Sequence, residues 1–112
     1  MAVATAILAH RADACAGFIN SCEIFDYEDG VLYAKCKDEK GNPAWPNIDL
    51  KKFVGTRNGE IGTGPGFTNF LDGCFGYGLN YKGVLRGTCN GRGNAFDLNN
   101  YISNENGQLN LC

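Results

Sequence analysis

The sequence predicts a β-rich domain built from one unit used twice and braced by disulfides. Three observations carry that prediction: the chain lies over itself in register, four of the six cysteines fall in matching places, and 16 glycines with recurring Asn-Gly or Asp-Gly pairs punctuate short apolar runs. At an offset of 48, the run Ile48, Asp49, Leu50 through Val54 lies over Phe96, Asp97, Leu98 through Ile102, and Asn58-Gly59-Glu60-Ile61 lies over Asn106-Gly107-Gln108-Leu109. Upstream, Gly30, Val31, Leu32 and Cys36 lie over Gly83, Val84, Leu85 and Cys89 at 53, while Phe18 and Cys22 lie over Phe70 and Cys74 at 52. The offset changes between blocks and not within them, so loops changed length while strands did not.

Along the chain, residues 1 to 14 stand apart. Met1 to Ala9 is a short apolar run, and Ala12-Asp13-Ala14 before Cys15 fits the small-x-small pattern of signal cleavage, without a positive n-region. A remnant signal peptide and a disordered tail both fit, and either leaves residues 15–112 as one folded domain, with repeat one at 17–63 and repeat two at 67–112. In each copy an initial strand runs into the first cysteine and a hairpin turns at Gly30 or Gly83. The return strand, Val31 to Cys36 or Val84 to Cys89, leads to a polar loop. A further strand enters a short turn at Asp49 or Asp97, whose carboxylate can cap Lys51 to Val54 or Asn99 to Ile102 as one helical turn. An Asn-Gly hairpin closes each copy. Gly62-Thr63-Gly64-Pro65-Gly66 is the linker; as a phosphate loop it lacks the following lysine and helix.

Composition bounds the function. A chain of 112 residues with 44% hydrophobic and 20% charged residues supports one modest core and a soluble domain, and no apolar run approaches the roughly 20 residues of a membrane-spanning helix. A net charge of -2 offers no basic stripe for phosphates, so no nucleic-acid partner is expected, and Lys51-Lys52 is a solvated pair. Six cysteines in so short a chain imply an oxidising compartment, hence a secreted or extracellular protein, but allow roughly 15 complete pairings. The repeat selects among them. Cys22 to Cys36 spans 14 positions and Cys74 to Cys89 spans 15, so equivalent cysteines bridge within each copy and Cys15 is left to pair with Cys112. A zinc site is disfavoured, because no Cys-x-x-Cys pair occurs and the single histidine, His10, lies in the N-terminal segment.

Catalysis has few ingredients. Without a histidine past Cys15 there is no Ser-His or Cys-His nucleophile, and bridged cysteines offer no thiolate. Asp26, Glu28 and Asp29 crowd one hairpin and Asp38 and Glu39 follow Cys36, but neighbouring acids on turns are ordinarily just solvated. They lack the spacing of a helix-loop-helix calcium site, so no metal and no cofactor are expected.

Phe18, Cys22, Gly30, Leu32, Cys36, Ile48-Asp49-Leu50, Val54, Asn58-Gly59 and their second-copy partners resemble the tandem repeat of the cyanovirin-N homology family, over residues 17 to 112. The resemblance implies an all-β fold of two pseudo-symmetric halves, each a triple-stranded sheet plus a β-hairpin, with strands exchanged between repeats and short helical turns. It also implies a non-enzymatic lectin for mannose-rich glycans. Carried over residue by residue, site one comprises Gly17, Asn20 and Ser21, then Lys37, Asp38 and Glu39, closed by Asn104, Glu105 and Asn106. Site two comprises Asn69, Asp72, Gly73, Asn90, Gly91 and Arg92, facing Gly55, Thr56, Arg57 and Asn58. Sugar hydroxyls need convergent donors and acceptors, which Asn, Ser, acids and backbone amides supply.

The departures fall mainly on site two. Gly55, Gly73 and Gly91 stand where the family pattern tends to carry polar side chains, and Cys89 to Phe96 is five residues shorter than Cys36 to Ile48. The hinge at Pro65 lacks the family's usual tryptophan, while Trp45 sits in the first copy's loop. A monomer is expected, without membrane contact. The competing expectation is a disulfide-stapled scaffold that binds another protein and no sugar.

Overall fold

The computed structural model describes residues 16–64 and 67–111, with backbone alone at 68, 76 and 77. The expected Cys15–Cys112 bridge and the N-terminal segment lie outside the described residues. Among the described residues twelve strands are formed: β1 (Cys22–Glu28), β2 (Val31–Lys37), β3 (Pro43–Ala44), β4 (Asn47–Asp49), β5 (Val54–Arg57), β6 (Glu60–Thr63), β7 (Thr68–Asn69), β8 (Cys74–Leu79), β9 (Val84–Cys89), β10 (Arg92–Asp97), β11 (Ile102–Glu105) and β12 (Gln108–Leu111). A one-turn helix, α1 (Phe70–Gly73), and 3-10 turns at Phe18–Asn20, Leu50–Lys52 and Leu98–Asn100 complete the order.

Both copies use one plan. A sheet forms from β1 and β2 with β3 and β4 along the far edge of β2, and its counterpart is β8, β9 and β10. Cys22 lies directly opposite Cys36 and Cys74 opposite Cys89, and both pairs are bridged, with Cα atoms 4.0 and 4.1 Å apart. The pairing expected from the repeat is therefore formed within each copy. A bulge interrupts the first strand of both sheets, between Ile24 and Asp26 and between Phe75 and Gly78.

Turn chemistry sets the corners. Asp29, Asn58 and Asn106 take φ of 51°, 56° and 53°, each followed by a glycine at positive φ, as a two-residue I′ hairpin requires. Asp49 and Asp97 cap the 3-10 turns, each accepting a backbone N–H two residues on, from Lys51 or Asn99, at 3.0 Å.

The hairpins are exchanged. β5–β6 from the first copy lies against β10 of the second, where Asn94 Nδ2 donates to Gly59 O at 2.8 Å and Asn94 Oδ1 accepts from Ile61 N at 3.3 Å. Reciprocally, β11–β12 lies against β4 of the first copy's sheet. One continuous core results. Phe18 and Phe70, Leu32 and Leu85, and Leu50 and Leu98 occupy equivalent positions and are fully buried, joined by Ile102. Each such side chain stabilises the fold by about 1.5–3 kcal/mol through burial alone.

Four local expectations are corrected. The residues before each first cysteine form helical turns rather than a strand, because Gly17 enters with φ of 83° and Asn69 caps α1 through Leu71 N at 3.0 Å. The turns after Asp49 and Asp97 begin at Leu50 and Leu98, and Val54 and Ile102 already belong to strands. Gly62 and Thr63 end β6 instead of belonging to the linker, held by pairing with Gly55 and Val54. In the first half the third strand is broken into β3 and β4, since Cys36 to Ile48 is too long for the two-residue Asn90-Gly91 turn that joins β9 to β10.

Candidate functional site

Site one forms where the last hairpin meets the first sheet. The loop after β2 is built on Asp38, whose Oδ1 accepts from Lys40 N at 2.9 Å and from Asn42 N at 2.8 Å. Asn104 joins three segments: Nδ2 donates to Ser21 Oγ at 2.8 Å and to Lys37 O at 2.9 Å, while Oδ1 accepts from Gly107 N at 2.9 Å. Asn106 Oδ1 accepts from Glu39 N at 2.9 Å, and Glu105 Oε2 accepts from the buried Ser103 hydroxyl at 3.0 Å. Gly17 N donates to Asn99 O at 2.8 Å. Ser21, Lys37, Glu39, Asn104 and Asn106 are thus tied together across the junction, while Gly17 is held by Asn99 and Glu105 by Ser103. Within the junction Asn104 and Asn106 act as clamps, their side chains committed to backbone and hydroxyl groups.

The open space lies to one side of these clamps. A groove of about 500 Å³ is lined by Ile19, Asn20, Ser21, Cys22, Glu23, Lys35, Cys36, Lys37, Gly41 and Pro43. Its apolar lining comes from Ile19, Pro43 and the bridged Cys22 and Cys36. Its walls carry the Ser21 hydroxyl, the Asn20 amide, the Glu23 carboxylate and the Lys35 and Lys37 ammonium groups, with Glu23 directly across from Lys35. Donors of both charged and neutral kind thus join acceptors beside an apolar lining. Of the nine expected residues, Asn20, Ser21 and Lys37 line the groove.

Site two is closer packed. Gly55 pairs with Asn69 and Thr56 with Thr68, and a Cβ placed at Gly73 would sit 2.6 Å from Thr56 Oγ1. Arg57 stacks 4.7 Å over the Phe67 ring. Asn58, Asn90 and Gly91 form hairpin turns, Asp72 is exposed, and Arg92 carries its backbone carbonyl to Asn94 Nδ2 at 3.2 Å. The hollow on this half, about 530 Å³, lies instead on the sheet face among Gly78, Arg86, Gly87, Thr88, Gly93, Asn94 and Ala95. None of the ten expected residues lines it.

The sequence matches the CVNH domain from residue 18 to residue 110, nearly the whole folded region. This chain belongs to the CVNH family. Among solved structures, the CVNH protein of Gibberella zeae is 25% identical with a TM-score of 0.74, covering 85% of this chain and 96% of that one. That of T. borchii is also 25% identical, with a TM-score of 0.73 over 86% of this chain and 99% of its own. Microvirin, solved as a mannobiose complex, is 24% identical, shares the fold at a TM-score of 0.70 and is covered over 99% of its length by 87% of this chain. No curated protein matches the sequence.

Sequence reasoning missed part of this CVNH groove. Glu23, Lys35 and Pro43 lie exposed on β1, β2 and β3, and the alternation Lys35, Cys36, Lys37 could have placed both lysines on the outward face, with Cys36 turned to the core. Asn94, the second-half counterpart in role to Asn104, carried no motif signal.

Proposed function

We propose that this CVNH chain is a carbohydrate-binding protein that holds mannose-type oligosaccharides in the groove beside the Cys22–Cys36 bridge, without catalysis. The observation that carries this reading is the groove itself, where Asn20, Ser21, Glu23, Lys35 and Lys37 present hydrogen-bonding groups beside an apolar lining. Mannobiose bound to microvirin, a protein of the same fold, supports the sugar class. Glu23 is the single carboxylate lining the groove, whereas two-carboxylate glycoside hydrolysis needs a facing pair. Site one is the working site in this reading, and site two, filled by Thr56 against Gly73, contributes weakly. The chain acts as a monomer in an oxidising, extracellular setting, which its cross-strand disulfides favour.

The test is amide chemical-shift mapping on the intact, oxidised protein with a mannose disaccharide. Shifts centred on residues 19–23, 35–37 and 41 are expected. Absence of shifts at millimolar sugar removes the lectin reading and favours the protein-binding scaffold.

A further inference from the structure

Beside the groove, on the outer face of the first sheet, three aromatic rings are gathered. Trp45 is 63% exposed and Phe25 57% exposed, although burial would stabilise both. Their rings meet edge to face with centroids 5.6 Å apart, and Phe25 lies 6.3 Å from Tyr33 behind it. Lys35 connects this patch to the groove, lining the groove while its Nζ sits 5.4 Å over the Trp45 ring. Glu23, Asp26 and Asn47, paired with Lys35 or Tyr33 across the sheet, edge the rings with polar groups.

The fold does not require these rings. In the second copy Arg86 and Thr88 hold the places of Tyr33 and Lys35, and Gly93, opposite Thr88, holds that of Trp45; only Phe25 keeps an aromatic counterpart, Tyr77. The same sheet forms there nonetheless, with an open hollow where the first copy has its aromatic face. The rings therefore answer to something other than sheet formation. Their polar edging and their continuity with the groove match a pyranose, which offers an apolar C–H face and hydroxyl-bearing edges to a π-surface.

We propose that Trp45 and Phe25, backed by Tyr33, form a stacking subsite for a further pyranose ring of an oligosaccharide whose end occupies the Ser21–Lys37 groove. The inference rests on the carbohydrate reading above and adds to it a preference for longer chains. Lys35 marks the passage between the two positions.

Trp45 is the chain's single tryptophan, so its emission reports on this patch alone. The intact protein is titrated with α-linked mannobiose and mannotetraose while groove amides and Trp45 emission are followed. Both sugars should shift the groove amides; only the tetrasaccharide should change the emission, and it should bind roughly fivefold to tenfold tighter. Trp45→Ala, and separately Phe25→Ala, should lose that gain and keep disaccharide binding, with amide spectra away from the patch unchanged. Equal affinity for the two lengths, or a gain that survives Trp45→Ala and Phe25→Ala, overturns the subsite and leaves the groove reading standing. No response to either sugar overturns both. Emission that instead tracks protein concentration together with a doubled mass assigns the patch to self-association and overturns the subsite as well.

Discussion

Asn104 donates its side-chain amide to Ser21 Oγ at 2.8 Å, a contact between residues 83 positions apart. Together with the bonds to Lys37 O and from Gly107 N, it fastens the hairpin from the end of the second copy onto the sheet of the first. The residue type and place suit a sugar ligand, yet its polar atoms face inward to the protein.

Asn104→Ala should therefore destabilise the fold. Losing the amide strands Lys37 O and Gly107 N, a loss of about 1–3 kcal/mol if they stay unpaired. Ser21→Ala should cost less, because the remaining two bonds persist. Urea denaturation of both variants checks the order; parent-like stability of Asn104→Ala would show that the clamp contributes nothing.

Gly107 and Gly91 form a matched pair of tests. Both take positive φ, at 88° and 79°, so alanine at either is strained by about 1–2 kcal/mol. A Cβ at Gly107 would also lie 2.8 Å from Ala44 Cβ, whereas none of the surroundings comes within 4 Å of one at Gly91. Gly107→Ala should be the worse by roughly 1–3 kcal/mol of overpacking, read as the difference in denaturation midpoints. Equal losses would mean that the hairpin does not press on β3.

Acid should weaken the first copy's cap. Partial burial by itself raises the Asp49 carboxyl, but hydrogen bonds from the Lys51 side chain and backbone, with the charges of Lys51 and Lys52, outweigh it and hold the group below its ordinary value. A depressed folded-state value contributes stability above the unfolded value and loses it as pH falls toward and through the folded one. Asp49→Asn should flatten that dependence below about pH 4, the unfolded carboxylate range. Thermal melts from pH 6 downward measure it, and parallel curves for variant and parent would exclude the cap as a source.

Intact mass with and without reductant counts the bridges. The Cys22–Cys36 and Cys74–Cys89 pairs account for a gain of four hydrogens on reduction. A gain of about six adds the Cys15–Cys112 bridge, which in the chain-entropy model is worth roughly 4–5 kcal/mol.

Much of the architecture was legible because short-range chemistry decides it. Asp49 and Asp97 need only the N–H groups two residues on, and Asn58-Gly59 and Asn106-Gly107 set their turns without distant help. Long-range placement was harder. Ser21 and Lys37 meet Asn104, but donor and acceptor inventory is the same for a clamp as for a ligand contact. Only the partners distinguish them. Glu23, Lys35 and Pro43 escaped notice because they lie on strands, where an outward side chain has no sequence mark beyond alternation. Asn90-Gly91, which the family resemblance implies for site two, forms the hairpin turn between β9 and β10 by the same dipeptide chemistry.

The exchange of hairpins also bears on how the molecule is made. β11–β12, which completes the first sheet's side of the core, spans residues 102–111, and Ile102 and Leu109 belong to that core. On a ribosome, the first copy would emerge with its buried face unfinished and wait for nearly the whole chain. Folding of the first half is thus tied to synthesis of β11–β12, and the earliest structure to persist should be local, the hairpin of β1 and β2, whose strands meet across a two-residue turn.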